Sequence, residues 1–161
     1  MLTATLRPIR DGDWPGVLAL ESAAYRRLGL SEDPDTLRSR AAAGTSFVVE
    51  AGGSVAAYLL ALPYPYGRIP DLAEPAPVAA GGADLHLHDI VVDAGRRRAG
   101  LGGRLVDHLL ATARAAAYAR VSLVSVADSG AFWTRQGFHP RPEVPVPAGY
   151  GPGAAYLTRP L

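Results

Sequence analysis

The chain has 161 residues, 48% of them hydrophobic and 19% charged, with a formal net charge of +1. This length and balance suit one globular domain over 1–161 with a buried core, without the global positive field that nucleic-acid binding draws on. There is no cysteine, which removes disulfides and thiolate nucleophiles, and all basic residues are arginine, with no lysine anywhere.

In chain order, Leu2 to Leu6 alternates as a strand, Arg10-Asp11-Gly12-Asp13 makes a turn, and Trp14, Val17, Leu18, Leu20 and Tyr25 recur near helical spacing. Ser31-Glu32-Asp33-Pro34 reads as a helix start, capped by Ser31 or Asp33, and Ala41-Ala42-Ala43-Gly44 closes that helix. Residues 46–50 and 54–62 are apolar runs separated by Gly52-Gly53, the spacing of a tight hairpin. From Pro63 to Ala83 the prolines and glycines fall irregularly, which predicts a long loop. A fourth strand is expected over 85–92 and a helix over 102–117, with Leu105, Leu109, Leu110 and Ala113 as its apolar stripe. A fifth strand over 121–126, a short helix over 129–136, a strand from Phe138 onward and a last strand over 154–161 complete the series. No apolar run approaches the roughly 20 residues that span a bilayer, and the N-terminus lacks a signal-peptide core, so no membrane contact and a cytoplasmic location are the default expectation.

The most informative segment is Arg97-Arg98-Ala99-Gly100-Leu101-Gly102-Gly103-Arg104, set between the fourth strand and a long helix. Glycines let the backbone approach a ligand closely, and the start of a helix presents free N–H groups and a favourable dipole to phosphate. The phosphate loop of ordinary nucleotide-binding proteins needs a lysine that this chain lacks, and a dinucleotide fingerprint needs a different glycine spacing in a first strand-to-helix turn. The cluster Arg96-Arg97-Arg98 is local and without interleaved aromatics, which suits one polyphosphate better than a duplex. Preceded by Ile90-Val91-Val92-Asp93 and followed by a helix, this R-x-x-G-x-G pattern resembles the acetyl-coenzyme A signature of the GNAT family of N-acetyltransferases. The run Ser129-Gly130-Ala131-Phe132-Trp133-Thr134-Arg135-Gln136-Gly137-Phe138 looks like the family's later motif, and Tyr150-Gly151 with 156–161 looks like the last loop and strand of one branch. The likeness covers essentially the whole chain.

The resemblance implies an α/β (α+β) fold, the GNAT fold: a central mixed, mostly antiparallel sheet of about seven strands flanked by about four helices and splayed between the fourth and fifth strands. It implies that the main chain of Ile90, Val91 and Val92 pairs with the pantetheine arm of acetyl-CoA. The amides of Arg98, Ala99, Gly100, Leu101, Gly102 and Gly103 would hold the pyrophosphate, with Arg97 and Arg104 flanking it and Ser129, Phe132 and Trp133 completing the cofactor site. The function so implied is acetyl-CoA-dependent transfer of an acetyl group to a primary amine of a small molecule or peptide. Direct attack on the bound thioester is expected, since there is no Cys and no activated Ser is evident. The alternative is a non-catalytic acyl-CoA-binding or sensing module of the same fold.

For the base, His86 and His88 lie two apart on a strand and hence on one face, opposite Leu85 and Leu87, with Asp89 on the other face as a structural partner. An imidazole accepts a proton at neutral pH. Counting back from the arginine-glycine turn puts His86 where some family members carry a Glu base, so His86 is the first choice and His88 the second. Hydrogen-bonded core histidines are the other reading. No third ligand stands at recognisable spacing, so no metal is expected. For the leaving thiolate, Trp133 stands where many family members have an acidic Tyr, and Asp128-Ser129 replaces the usual Asn, with Ser129 read as an N-cap. Tyr150, between glycines in a late loop, is the candidate acid, ahead of Tyr64 and Tyr66, although lining or capping a pocket is the favoured reading for each. The Pro-rich segment 140–147 could pair in a homodimer, and a surface loop explains it equally well.

Overall fold

The structure, a computed structural model, describes residues 3–76 and 82–161. Its elements in chain order are β1 (Ala4–Pro8), α1 (Trp14–Tyr25), α2 (Pro34–Arg38), β2 (Phe47–Ala51), β3 (Ser54–Pro63), β4 (Asp84–Val92), α3 (Leu101–Ala115), β5 (Arg120–Ser125), α4 (Gly130–Arg135), β6 (His139–Pro140) and β7 (Ala155–Pro160). The strands form one seven-stranded sheet in the order β1-β2-β3-β4-β5-β7-β6. Every pairing is antiparallel except β4 with β5, which is parallel. Leu2 and residues 77–81 of the expected 63–83 loop lie outside the described residues.

β3 reads as a continuous apolar run because both faces of the sheet are covered. On one face Val49, Ala57, Leu59, Leu85 and Leu87 pack under the α3 stripe of Leu101, Leu105, Val106, Leu109, Leu110 and Ala113. On the other, Val48, Tyr58, Leu60 and Val91 pack under Trp14 and Val17 of α1 and Leu37 of α2. Full burial of each such large side chain stabilises by about 1.5–3 kcal/mol, which fixes β3 and β4 as the rigid centre that carries the site.

Two departures from regularity place the functional groups. The parallel β4–β5 ladder holds only Asp84 with Arg120, Leu85 with Val121 and His86 with Ser122, and from Leu87 onward the two strands part. The splay expected between the fourth and fifth strands is therefore present. The second departure is a β-bulge: Ala61 pairs with Leu87 but Leu60 pairs with Asp89, leaving His88 without a partner on β3. A bulge inserts one residue and re-aims those after it. Leu60 and Tyr58 face α1, so their partners Asp89 and Val91 face α1 too, whereas Ile90 and Val92 turn to the α3 side. Strict alternation had put Asp89 on the face away from the histidines; the bulge corrects this and brings it to theirs.

Local differences from expectation have local causes. α2 stops at Arg38, because the Ser39 hydroxyl donates to the Thr36 carbonyl at 2.5 Å and Arg40 turns inward instead of continuing the helix. Asp33 is the cap of α2, accepting from the Asp35 amide at 3.1 Å. Ser31 donates to Glu21 instead, at 2.5 Å. Ser129 occupies the N-cap position of α4, but its hydroxyl turns back to the Val126 carbonyl at 2.8 Å and caps nothing.

Candidate active site

A cleft of about 680 Å³ opens where β4 and β5 part. One end of it is the glycine turn. Residues 94–99 wind as a 3-10 helix, and Gly100 reverses the chain at φ 74° before α3 begins, a left-handed conformation that glycine adopts without a Cβ penalty. The first hydrogen bond of α3 runs from the Arg104 amide to the Gly100 carbonyl at 3.1 Å. The amides of Leu101, Gly102 and Gly103 lie ahead of it and have no acceptor within the helix. Arg97, Gly100, Gly102 and Gly103 line this end together with Ser129, Phe132 and Trp133. One wall is the edge of β4 from Leu87 to Val92, which faces the splay without a strand partner.

The other end carries a buried polar cluster. Arg40 and Glu32 form an ion pair with contacts of 3.0 and 2.8 Å, both side chains almost wholly buried. The second oxygen of Glu32 accepts from His88 Nε2. Burial alone would raise the Glu32 carboxyl, but the His88 hydrogen bond and the charges beside it outweigh burial and hold it below the usual range. With Nε2 committed to Glu32, the other ring nitrogen of His88, Nδ1, is buried with no partner. Beside it, Asp89 accepts from the Tyr58 hydroxyl through Oδ2 at 2.5 Å, while Oδ1 is also buried and unpaired. Desolvation pushes the Asp89 carboxyl up from 3.8 to about 6. It holds the neighbouring Tyr25 and Tyr58 phenols well above their ordinary value, with the Asp89 charge adding to the effect. Both His88 and Asp89 line the cleft, as do Tyr25 and Tyr150.

This arrangement sets a buried carboxyl with a raised pKa and the free amides at the start of α3 along one cleft. A model of the acetyltransferase (GNAT) family matches residues 13–138. The chain belongs to the GNAT acetyltransferase family. No curated protein matches the chain by sequence. Among solved structures it is similar to the loading GNATL domain of CurA from Lyngbya majuscula, with a TM-score of 0.76, 14% identity and 98% of each chain covered. It is also similar to the ribosomal-protein-S18-alanine N-acetyltransferase from Escherichia coli, with a TM-score of 0.70, 20% identity, and 98% of this chain and 94% of that one covered. A third is a GNAT family acetyltransferase from Brucella melitensis in complex with acetyl-CoA, with a TM-score of 0.62, 22% identity, and 85% and 83% covered.

Against this GNAT fold the expected site residues separate into groups. Ile90, Val91 and Val92 line the cleft. Of the glycine-turn residues beyond those already placed, the Leu101 side chain is buried in the core, and Arg98, Ala99 and Arg104 are exposed and outside the lining. Trp133 is buried between Phe132 and Phe138, with ring centroids at 4.9 and 5.4 Å. His86 is buried off the cleft, its Nδ1 at 3.1 Å from the Ser122 hydroxyl, and desolvation depresses its pKa to about 3, with the nearby His88 and Arg40 charges adding to this. Tyr150 reaches the cleft but its hydroxyl donates to the Pro70 carbonyl at 2.5 Å, and burial raises its pKa far above the ordinary phenol. Sequence reasoning gave Asp89 only a structural part, on the other strand face, and gave no site role to Tyr25, Glu32 or Arg40. Among the described residues there is no cluster of three or more His, Asp or Glu side chains able to hold a metal ion.

Proposed function

We propose that this GNAT protein transfers the acetyl group of acetyl-CoA to a primary amine, with Asp89 as the base that frees the amine of its proton. The observation that carries the reading is the Asp89 carboxyl: buried, with one unpaired oxygen, on the cleft wall, and with a pKa near 6 that leaves it ionised yet basic at neutral pH. The residues present fit acetyl-CoA. The free amides of Leu101, Gly102 and Gly103 and the Arg97 side chain would hold the pyrophosphate, and the unpartnered edge of β4 would run beside the pantetheine arm. Bound so, acetyl-CoA supplies a thioester carbonyl for attack and carries coenzyme A away as the leaving group.

The chain's own groups do the rest. Asp89 Oδ1, beside His88 Nδ1, receives an N–H of the incoming amine, and Asp89 takes the proton that makes the nitrogen nucleophilic. Glu32 fixes the His88 ring by accepting from Nε2, and Arg40 holds Glu32 ionised in a buried place. Tyr58 holds the other Asp89 oxygen. His86 serves as a neutral strut between β4 and β5, because a group with a pKa near 3 that does not reach the cleft is a poor base. Tyr150 anchors a loop instead of donating a proton, since its hydroxyl is held by Pro70. The Trp133 substitution that favours a sensing module is offset by Asp89, a proton-transfer group in working position.

The test is thiol release from acetyl-CoA with a pooled panel of primary amines, followed by mass detection of the acetylated product. Amine-dependent release that Asp89→Asn abolishes while acetyl-CoA still binds supports the reading. Binding without release from any amine would point to the sensing module.

A further inference from the structure

The acceptor end of the cleft specifies more than an amine. It holds two buried polar atoms without partners on consecutive residues, His88 Nδ1 and the carboxylate oxygen Asp89 Oδ1, and a buried carboxylate oxygen is matched by a ligand that brings N–H groups and positive charge. Apart from the Tyr25 and Tyr150 phenols, the lining contributed by α1, the turn after it and the 70–76 loop is apolar: Ala24, Leu28, Leu30 and Leu72. Leu28 is 52% exposed, the one exposed large hydrophobic side chain among the described residues. It is held at the mouth by a 3-10 turn that Gly29 ends at φ 68°.

Among the described residues the cleft lining holds one arginine, Arg97, and no other cation; Arg26 and Arg27 precede Leu28 but are exposed outside that lining. Buried Arg40 is engaged through Nε and Nη2, by Glu32 and by the carbonyls of Asp71 at 2.7 Å and Glu74 at 2.9 Å. Those two carbonyls bracket Leu72, and Tyr150 ties the preceding Pro70 carbonyl at 2.5 Å, so the same contacts that occupy the arginine press a leucine toward the cleft. Arg97, the arginine of the cleft lining, sits beyond Val92 at the glycine turn, and Val92 alone is about 10 Å of strand away from Asp89.

Resting on the acetyltransferase reading above, we propose that the acceptor is a small primary amine with a single positive charge and an apolar body, an alkylamine or arylalkylamine without a carboxylate near the nitrogen. The ammonium meets His88 and Asp89, and the hydrocarbon meets the leucines. A free α-amino acid places its carboxylate within a few ångströms of Asp89 with no cation of the lining beside it to answer it. A peptide brings amide groups for which the leucine-lined mouth has no partners. A diamine brings a second charge into that same apolar surface.

Kinetics with matched acceptors at saturating acetyl-CoA test this. Phenethylamine and phenylalanine share the ring and differ in the carboxylate, and phenylalaninamide restores neutrality at that position. Repulsion at a few ångströms in a partly buried site predicts kcat/KM for phenylalanine roughly 100-fold or more below phenethylamine, with the amide recovering most of it. Hexylamine should exceed hexanediamine by about tenfold or more, and Leu28→Asp, at an exposed position that the fold tolerates, should reverse that order by giving the second charge a partner. Phenylalanine turned over within threefold of phenethylamine would overturn the acceptor assignment and leave the acetyltransferase reading standing. So would a peptide N-terminus preferred over both, or a Leu28→Asp protein with an unchanged amine order. Thiol release from no amine at all, with acetyl-CoA bound, would overturn both.

Discussion

Replacing Asp89 by asparagine separates two consequences of one buried charge. Asparagine keeps an oxygen for the Tyr58 hydroxyl, now 2.5 Å from the carboxylate, and removes the charge. Burial raises the carboxyl from 3.8 to about 6, so the folded protein binds this proton more tightly than the unfolded chain does. The stability that the group contributes is therefore fully present below about pH 4, is lost as pH rises to about 6, and stays lost above it. That displacement amounts to about 3 kcal/mol at neutral pH. Asp89→Asn should recover much of it, raising the melting temperature at about pH 7.5 by roughly 6–12 °C for a chain of this size, with the gain vanishing near pH 4. Turnover of the same variant should fall by about 10²–10⁴-fold. The parent's kcat/KM should rise with pH through an inflection near 6, which the variant lacks. The charged and titratable groups around Asp89 are His88, Glu32, Tyr25 and Tyr58, and an inflection that persists in Asp89→Asn belongs to one of these. Parent-like turnover in the variant, or the same melting shift at both pH values, would refute the assignment.

Other substitutions probe the remaining parts. At Gly102 an added Cβ would meet the Phe132 ring at 3.5 Å and Val92 at 3.7 Å, ordinary contacts. Gly102→Ala should therefore keep or slightly raise the melting temperature while weakening acetyl-CoA binding by about tenfold or more, because the pyrophosphate needs that space; undiminished affinity in calorimetry would place the phosphates elsewhere. Arg40→Ala leaves Glu32 charged and buried and should cost about 3–5 kcal/mol in urea unfolding, with a cost below about 1 kcal/mol contradicting the buried pair. Tyr150→Phe loses the bond to Pro70, for about 1–2 kcal/mol of stability. It should lower kcat less than tenfold, whereas a loss near 10³-fold would restore Tyr150 as the general acid.

What was legible in the sequence was what depends on neighbours in sequence. The α3 stripe is a period within one helix, the hairpin at Gly52-Gly53 is a two-residue signal, and the arginine-glycine run sits at the start of α3 because strand, turn and helix follow one another directly. The parts that were not legible depend on register and on distant segments. Asp89 faces the cleft only because β4 bulges at His88 against β3, and period-2 reasoning, which assigns faces by counting, fails at any inserted residue. His86 shows the same dependence: its ring partner is Ser122, 36 positions later, in the last pair before the strands part, a contact that no local pattern announces. Glu32 and Arg40 looked like polar residues around a short helix, and only the tertiary structure buries them against His88 and the 70–76 loop. Arg40 itself carried a faint signal, an arginine ahead of an alanine run that fails to continue α2.

Transfer of a labelled acetyl group tests the central claim most directly. Acetyl-CoA labelled in its acetyl carbons is mixed with the protein and phenethylamine, and the small-molecule products and the intact protein are weighed by mass spectrometry. The account predicts labelled amide formed in step with free coenzyme A, no acetylated protein, and neither product above background with Asp89→Asn. Release of coenzyme A without labelled amide, or label lodged on the protein chain, would contradict it.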